Sequence, residues 1–174
     1  IWLGTDYGIS LSRYNSALQF IPISQITGTG DGNQFYSLFR DSKGFYWFGG
    51  PNGLIRFTDP AGDTHNAIWY SMGDKTYPSS HNRIRHIYED KEQQLWIATD
   101  GSINRYDYAT RQFVHYNIVD SPGTYNTNWT YYMFDDNAGH LWISTCLGGI
   151  FVVDKHRLIQ SASGPYVAEQ NYPV

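Results

Sequence analysis

Cysteine is nearly missing from this sequence. Its single copy, Cys146, sits inside a strand-like run (Trp142-Ile-Ser-Thr-Cys146), so no internal disulfide can form and no cysteine-based metal site is available. Charge is sparse as well: 16% of residues are charged, against about 25% in an average domain. The net charge is −4 and no basic run occurs, which argues against non-specific nucleic-acid binding; no nucleic-acid contact is expected of this segment. No apolar run reaches the roughly 18 residues of a membrane-crossing helix. The six histidines are scattered, without the His-x-x-x-His or His-x-His spacing of a metal site. Neither a Gly-x-Ser-x-Gly elbow nor a phosphate-cradling glycine loop occurs, so no cofactor is expected. No stretch holds a helical period, and almost no helix is expected. No signal peptide is recognised. The chain opens on Ile1-Trp2, in the middle of a repeated unit, and so reads as a piece of a longer protein.

Aromatic residues are what the chain has in excess, at 17%. With so little charge, that favours a β-rich fold with large side chains packed between layers. Four tryptophans stand in the same context: Ile1-Trp-Leu-Gly-Thr5, Tyr46-Trp-Phe-Gly-Gly50, Leu95-Trp-Ile-Ala-Thr99 and Leu141-Trp-Ile-Ser-Thr145. Successive copies are 45, 49 and 46 residues apart. Such a period in strand-forming units points to a propeller or another repeat array.

Each full repeat parses into four short strands. The first covers 35–40, 83–89 and 130–135; the second carries the tryptophan at 2–5, 46–50, 95–99 and 141–145. The third follows at 9–14, 54–57, 103–106 and 150–153, and a weaker fourth at 18–23, 67–71, 113–117 and 165–168. Asp41-Ser-Lys-Gly44 and Asp136-Asn-Ala-Gly139 have the Asp and Gly placement of type I turns, whereas Asp90-Lys-Glu-Gln93 lacks the glycine and predicts a wider turn. Gly8, Gly53, Gly101 and Gly148 are the positions expected to supply positive φ after each Trp strand. An asparagine recurs eight positions before each turn aspartate (Asn33, Asn82 and Asn128), where its amide can bond the backbone of a neighbouring unit.

One four-stranded sheet cannot bury both faces, but stacked sheets can, with the Trp row as the layer between them. Burying one such ring is worth roughly 4–6 kcal/mol as an upper bound. The expected fold is therefore all-β: a β-propeller of four-stranded antiparallel blades, here a partial propeller of about four blades in a single domain spanning 1–174, with repeats near 1–32, 33–80, 81–127 and 128–174. First strands are found for three blades only, and Asn171-Tyr-Pro-Val174 reads as the start of a further inner strand. The chain is thus either about half of a larger ring or a small ring with an unusual closure.

These residues resemble the two-component regulator propeller repeat. The resemblance rests on Asn82-Arg-Ile-Arg-His-Ile-Tyr-Glu-Asp90, Leu95-Trp-Ile-Ala-Thr-Asp-Gly101 and Asn104-Arg-Tyr-Asp107, with good matches at 128–148 and 33–57. The departures are Gln93 in the place of a glycine and Phe151-Val-Val-Asp154 without Arg-Tyr. The resemblance implies a seven-bladed propeller in the extracytoplasmic sensor region of a hybrid two-component histidine kinase, a location in the periplasm, and an oligosaccharide ligand. It further implies that the remaining blades lie in the parent protein, that the parent is a homodimer, and that this segment is sensor and not enzyme.

Positions that recur in every copy are most simply structural; positions that differ on the axis-facing surface are free to serve a ligand. By that rule the candidate ligand-binding residues are Arg83, Arg85, Trp129, Tyr131, Gln34 and Tyr36, followed by Ser37, His86 and Tyr132. Arginine offers bidentate contacts to carboxylate or sulfate, and Trp and Tyr offer flat faces to a sugar. Two longer aromatic stretches, 65–77 with Trp69 and Tyr70 and 120–129 with Tyr125, could add to such a surface, or Trp69 could belong to an outer strand. The carboxylate pairs Glu89-Asp90 and Asp135-Asp136 recur at turns, which favours capping over acid/base chemistry. The competing functions are a sialidase- or lyase-like carbohydrate-active propeller and a dimerisation scaffold without a ligand. A sialidase turn places Asp two before Gly, whereas Asp41 and Asp136 stand three before theirs.

Overall fold

A computed structural model describes residues 2–5, 8–11, 19–21, 34–58, 67–72, 79–119, 129–161 and 165–173. Short runs with a tryptophan or branched residue on one face and a tight turn at each end form antiparallel hairpins. The first sheet holds β1 (Trp2–Thr5), β2 (Gly8–Leu11) and β3 (Gln19–Ile21). The second holds β4 (Ser37–Arg40), β5 (Tyr46–Gly50), β6 (Gly53–Phe57) and β7 (Ala67–Tyr70). The third is built from β8 (Ile84–Glu89), β9 (Leu95–Thr99), β10 (Ser102–Asp107) and β11 (Gln112–Val119), and the fourth opens with β12 (Thr130–Asp135), β13 (His140–Thr145) and β14 (Ile150–Asp154). The sheets are blades of a partial β-propeller, stacked face to face.

Helix is confined, among the described residues, to a 3-10 turn at Ser79–Asn82 and to α1 (Lys155–Gln160), capped by Asp154 accepting from Arg157 N. After α1, β15 (Pro165–Val167) does not become the fourth strand of the last blade, as its sequence suggested. It pairs parallel with β11 as a fifth strand of the preceding blade. The fourth strand of the last blade is β16 (Gln170–Tyr172), antiparallel to β14, so Asn171 and Tyr172 do not begin another inner strand. The physical reason lies in α1, which diverts the chain away from β14 and returns it across the neighbouring sheet's open edge. The strap is held by Ala168 N to Val119 O at 2.9 Å and Glu169 N to Val152 O at 2.9 Å.

The seams between blades hold the core. Trp47, Leu54, Ile84, Ile87, Leu95 and Tyr106 fill one; Trp96, Ile103, Tyr116, Met133, Leu141 and Phe151 fill the next. Trp47 and Trp96 are fully buried. Trp142 stacks between Phe134 and Tyr172 on the uncovered face of the last blade, where Phe134 is 47% exposed. The Trp2 side chain lies outside the described residues. Close stacking needs small residues two past each Trp: a Cβ on Gly49 would fall 2.3 Å from Ile84 Cγ2 in the next blade.

Each turn aspartate has two tasks. One oxygen accepts the backbone N–H four residues on (Phe45, Gln94, His140), and the other accepts the indole N–H of the repeated Trp at 2.8, 2.9 and 2.9 Å for Trp47, Trp96 and Trp142. The 90–93 turn is not wider than its counterparts. Asp90 N to Gln94 O and Gln93 N to Asp90 O, both 3.0 Å, repeat the bonds of the 41–44 turn, because Gln93 accepts the left-handed conformation (φ 61) that Gly44 and Gly139 hold elsewhere. Positive φ after the Trp strand falls on Gly53, Ser102 and Gly149, not on Gly101 or Gly148. Gly101 is needed for space instead: the His81 ring would lie 2.6 Å from its Cβ. Asn82 bonds the preceding unit, Oδ1 accepting from Met72 N at 2.6 Å; Asn33 and Asn128 lie outside the described residues.

Candidate functional site at the mouth of the inner strands

Strands β4, β8 and β12 lie side by side as the inner strands of successive blades. Two positions in them that differ between copies turn out to serve the seams. Ser37 Oγ accepts from Ile87 N at 3.1 Å, and His86 Nδ1 accepts from Met133 N at 3.3 Å while its ring stacks on Tyr132 at 4.1 Å. Burial holds the His86 pKa below its usual value, in keeping with a neutral ring whose Nδ1 carries no proton.

At the start of these strands the structure brings four of the candidate residues together. The Arg85 guanidinium lies 5.7 Å from the Trp129 ring centroid and 5.6 Å from that of Tyr131, within cation–π range of both. Trp129 and Tyr131 are 44% and 43% exposed, so each ring keeps a face open to solvent. Arg83 is exposed and sits 3.8 Å from Asp100. Tyr36 and Gln34 pair with each other, Tyr36 Oη donating to Gln34 Oε1 at 2.7 Å. Trp69 and Tyr70 belong to outer strand β7 and pack in the blade. The 120–128 stretch with Tyr125 is outside the described residues.

Two residues of this site were not singled out by sequence. Asp100 is buried and grips the Arg85 fork through both oxygens, Nε to Oδ1 at 2.5 Å and Nη2 to Oδ2 at 3.0 Å. That bond, more than any other influence, raises the Arg85 pKa further above its ordinary value. Cys146 Sγ takes the Tyr131 hydroxyl at 3.6 Å, a contact that also raises the Tyr131 pKa. A signal for both was present: the residue after the Trp strand varies between copies, being Asp6, Pro51, Asp100 and Cys146. The Nε and Nη2 edge of the Arg85 guanidinium thus faces Asp100.

A partly open cleft of about 260 Å³ lies at the turn end, between Lys43, Glu92, Gln94, Arg105 and Tyr108, with Arg105 bonded to Gln94 at 2.9 Å. Its polar, charge-balanced walls carry no candidate residue. Among the described residues no three His, Cys, Asp or Glu side chains come together as metal ligands.

A family model described as two component regulator propeller matches residues 29–52 and 78–101. The chain belongs to that propeller family. It is 89% identical, over 98% of its length, to a solved extracellular domain assigned to the hybrid two component system BT4673 of B. thetaiotaomicron, with a TM-score of 0.79. The corresponding domain of the hybrid system BT3049 of the same organism matches over 97% of the chain at 19% identity and a TM-score of 0.64. Virginiamycin B lyase from Staphylococcus aureus, at 15% identity over 87% of the chain and 46% of the lyase, with a TM-score of 0.63, shares the fold alone. This propeller segment spans about a quarter of the solved extracellular domains it matches, 23% and 21% of their chains. No curated protein matches it.

Proposed function

We propose that this propeller segment is the periplasmic, ligand-sensing part of a hybrid two-component sensor, that it contacts an oligosaccharide at the mouth of its inner strands, and that binding is relayed across the membrane to a histidine kinase. The observation that carries the reading is the pair of open aromatic faces, Trp129 and Tyr131, arranged about one guanidinium. Flat apolar rings beside fixed polar groups suit the C–H face and hydroxyl rim of a sugar. Similarity to extracellular domains of hybrid two-component systems supports the sensor role. In this reading the remaining blades of the parent complete the ring against the Phe134, Trp142 and Tyr172 face, and the parent acts as a homodimer. Signalling is a population shift, which requires that the ligand bind one arrangement more tightly than the other.

The test is a thermal-shift screen of the full chain against neutral and acidic oligosaccharides. A saccharide that raises the melting temperature of the native chain and not of Trp129→Ala supports the reading. Absence of any shift across the panel removes it and leaves the scaffold alternative.

A further inference from the structure

In the third and fourth blades the residue after the Trp strand and the residue three past the repeated asparagine meet inside one blade. In the third blade this pair is Asp100 with Arg85; in the fourth it is Cys146 with Tyr131. One position reads Asp6, Pro51, Asp100 and Cys146 and the other Tyr36, Arg85 and Tyr131, whereas the turn aspartates and tryptophans around them recur. The pair thus sits in a fixed frame but carries variable chemistry, and of these two pairs only the third blade's is charged.

Asp100 has a side chain 2% exposed, so its charge is withdrawn from water and must be met by the protein. Arg85 meets it with two parallel bonds from a planar fork. The guanidinium that is left over the Trp129 and Tyr131 rings has spent its most directional donors inward. It stacks and spaces the rings, and although its Nη1 side stays outside the Asp100 bonds, its charge is already countered by a buried carboxylate. Arg83, 59% exposed, shares the same carboxylate at 3.8 Å, beyond hydrogen-bonding reach. We propose that Asp100 is the residue that sets the charge preference of the mouth: by holding Arg85 it makes the surface a receptor for an uncharged polyhydroxyl ligand and keeps it from being an anion receptor. Without the carboxylate's charge, two guanidinium groups on one rim would recruit carboxylate or sulfate groups. The inference rests on the saccharide reading above, and Asp100 acts in it as a positioning residue.

The experiment is calorimetric titration of the full chain with uncharged hexasaccharides (cellohexaose, maltohexaose and mannohexaose) and with anionic ones (hexagalacturonate and a heparin hexasaccharide). The native chain is expected to bind at least one uncharged probe at least tenfold more tightly than either anionic probe. Asp100→Asn is expected to move that ratio at least tenfold toward the anions, with the gain lost as salt rises. If Asp100→Asn does not fold, the paired variant Asp100→Asn with Arg85→Gln keeps an amide hydrogen-bonded pair without charge; whatever its affinity for the uncharged probe, it is expected to gain nothing for anions, and a gain overturns the assignment. A native chain that binds anionic probes as tightly as uncharged ones, or an Asp100→Asn protein with an unchanged ratio, overturns the assignment and leaves the saccharide reading standing. Binding of no probe overturns both.

Discussion

Lys155 reaches across the seam between the third and fourth blades and places its ammonium 3.2 Å from Asp90 Oδ2, the same oxygen that accepts the Trp96 indole. Asp135 lies at 3.4 Å and Glu92 completes the cluster. One seam earlier the corresponding oxygen, Asp41 Oδ2, accepts from Trp47 and from the Tyr108 hydroxyl at 2.7 Å. Lys155 follows Asp154 as Tyr108 follows Asp107, so a lysine and a tyrosine do the same joining work at equivalent places.

Lys155 is fully buried, and removing one member of a buried ionic cluster leaves the others uncompensated. Lys155→Ala is expected to lower stability by about 3–5 kcal/mol in urea unfolding. Lys155→Tyr, which restores the donor of the earlier seam, is expected to lose clearly less. Equal losses for the two variants would show that the seam reads charge and not simply a donor.

Gln93 holds a left-handed conformation that costs a residue with a Cβ about 1–2 kcal/mol. Gly44 and Gly139 occupy the matching places in the neighbouring blades. Gln93→Gly is expected to raise the urea midpoint, by about 0.5–1 kcal/mol of stability after the added unfolded-state entropy, with no change in m-value. A lowered midpoint would mean that the exposed Gln93 side chain contributes more than the turn geometry implies.

His86 accepts a backbone N–H at Nδ1, so protonation there would set a donor against a donor. Burial lowers its pKa, as burial lowers that of His81. The unfolded chain therefore binds more protons than the folded one below the ordinary histidine pKa. Stability contributed by these groups is complete above about pH 6.5 and is lost as pH falls toward their lowered folded values. His86→Ser, which reproduces Ser37 of the earlier blade, is expected to flatten the decline in urea midpoint between about pH 7 and 5, leaving the part due to His81. An unchanged slope would remove His86 from the pH response.

The repeat carried the blades. Trp47, Trp96 and Trp142 with their turn aspartates are local, periodic signals, and the first three strands of the second, third and fourth blades fall at or within two residues of where that period puts them. The candidate cluster was partly legible for the same reason: Arg83, Arg85, Trp129 and Tyr131 break a periodic pattern, and a break in a repeat can be seen without coordinates. The left-handed Gln93 and Ser102 were not legible, because tertiary packing overrides the preference of a residue that meets only a modest local strain.

By itself the sequence determined the period, the hairpins and the residues free to vary, since each depends on side chains a few positions apart along one strand or turn. Only the tertiary structure decided that Asp100 fills the Arg85 fork, that Lys155 joins two blades, and that β15 crosses to β11. Those are meetings between residues 15 to 65 positions apart, and their partners are chosen by how strands pair within a blade and how one sheet stacks on the next, which no local pattern encodes.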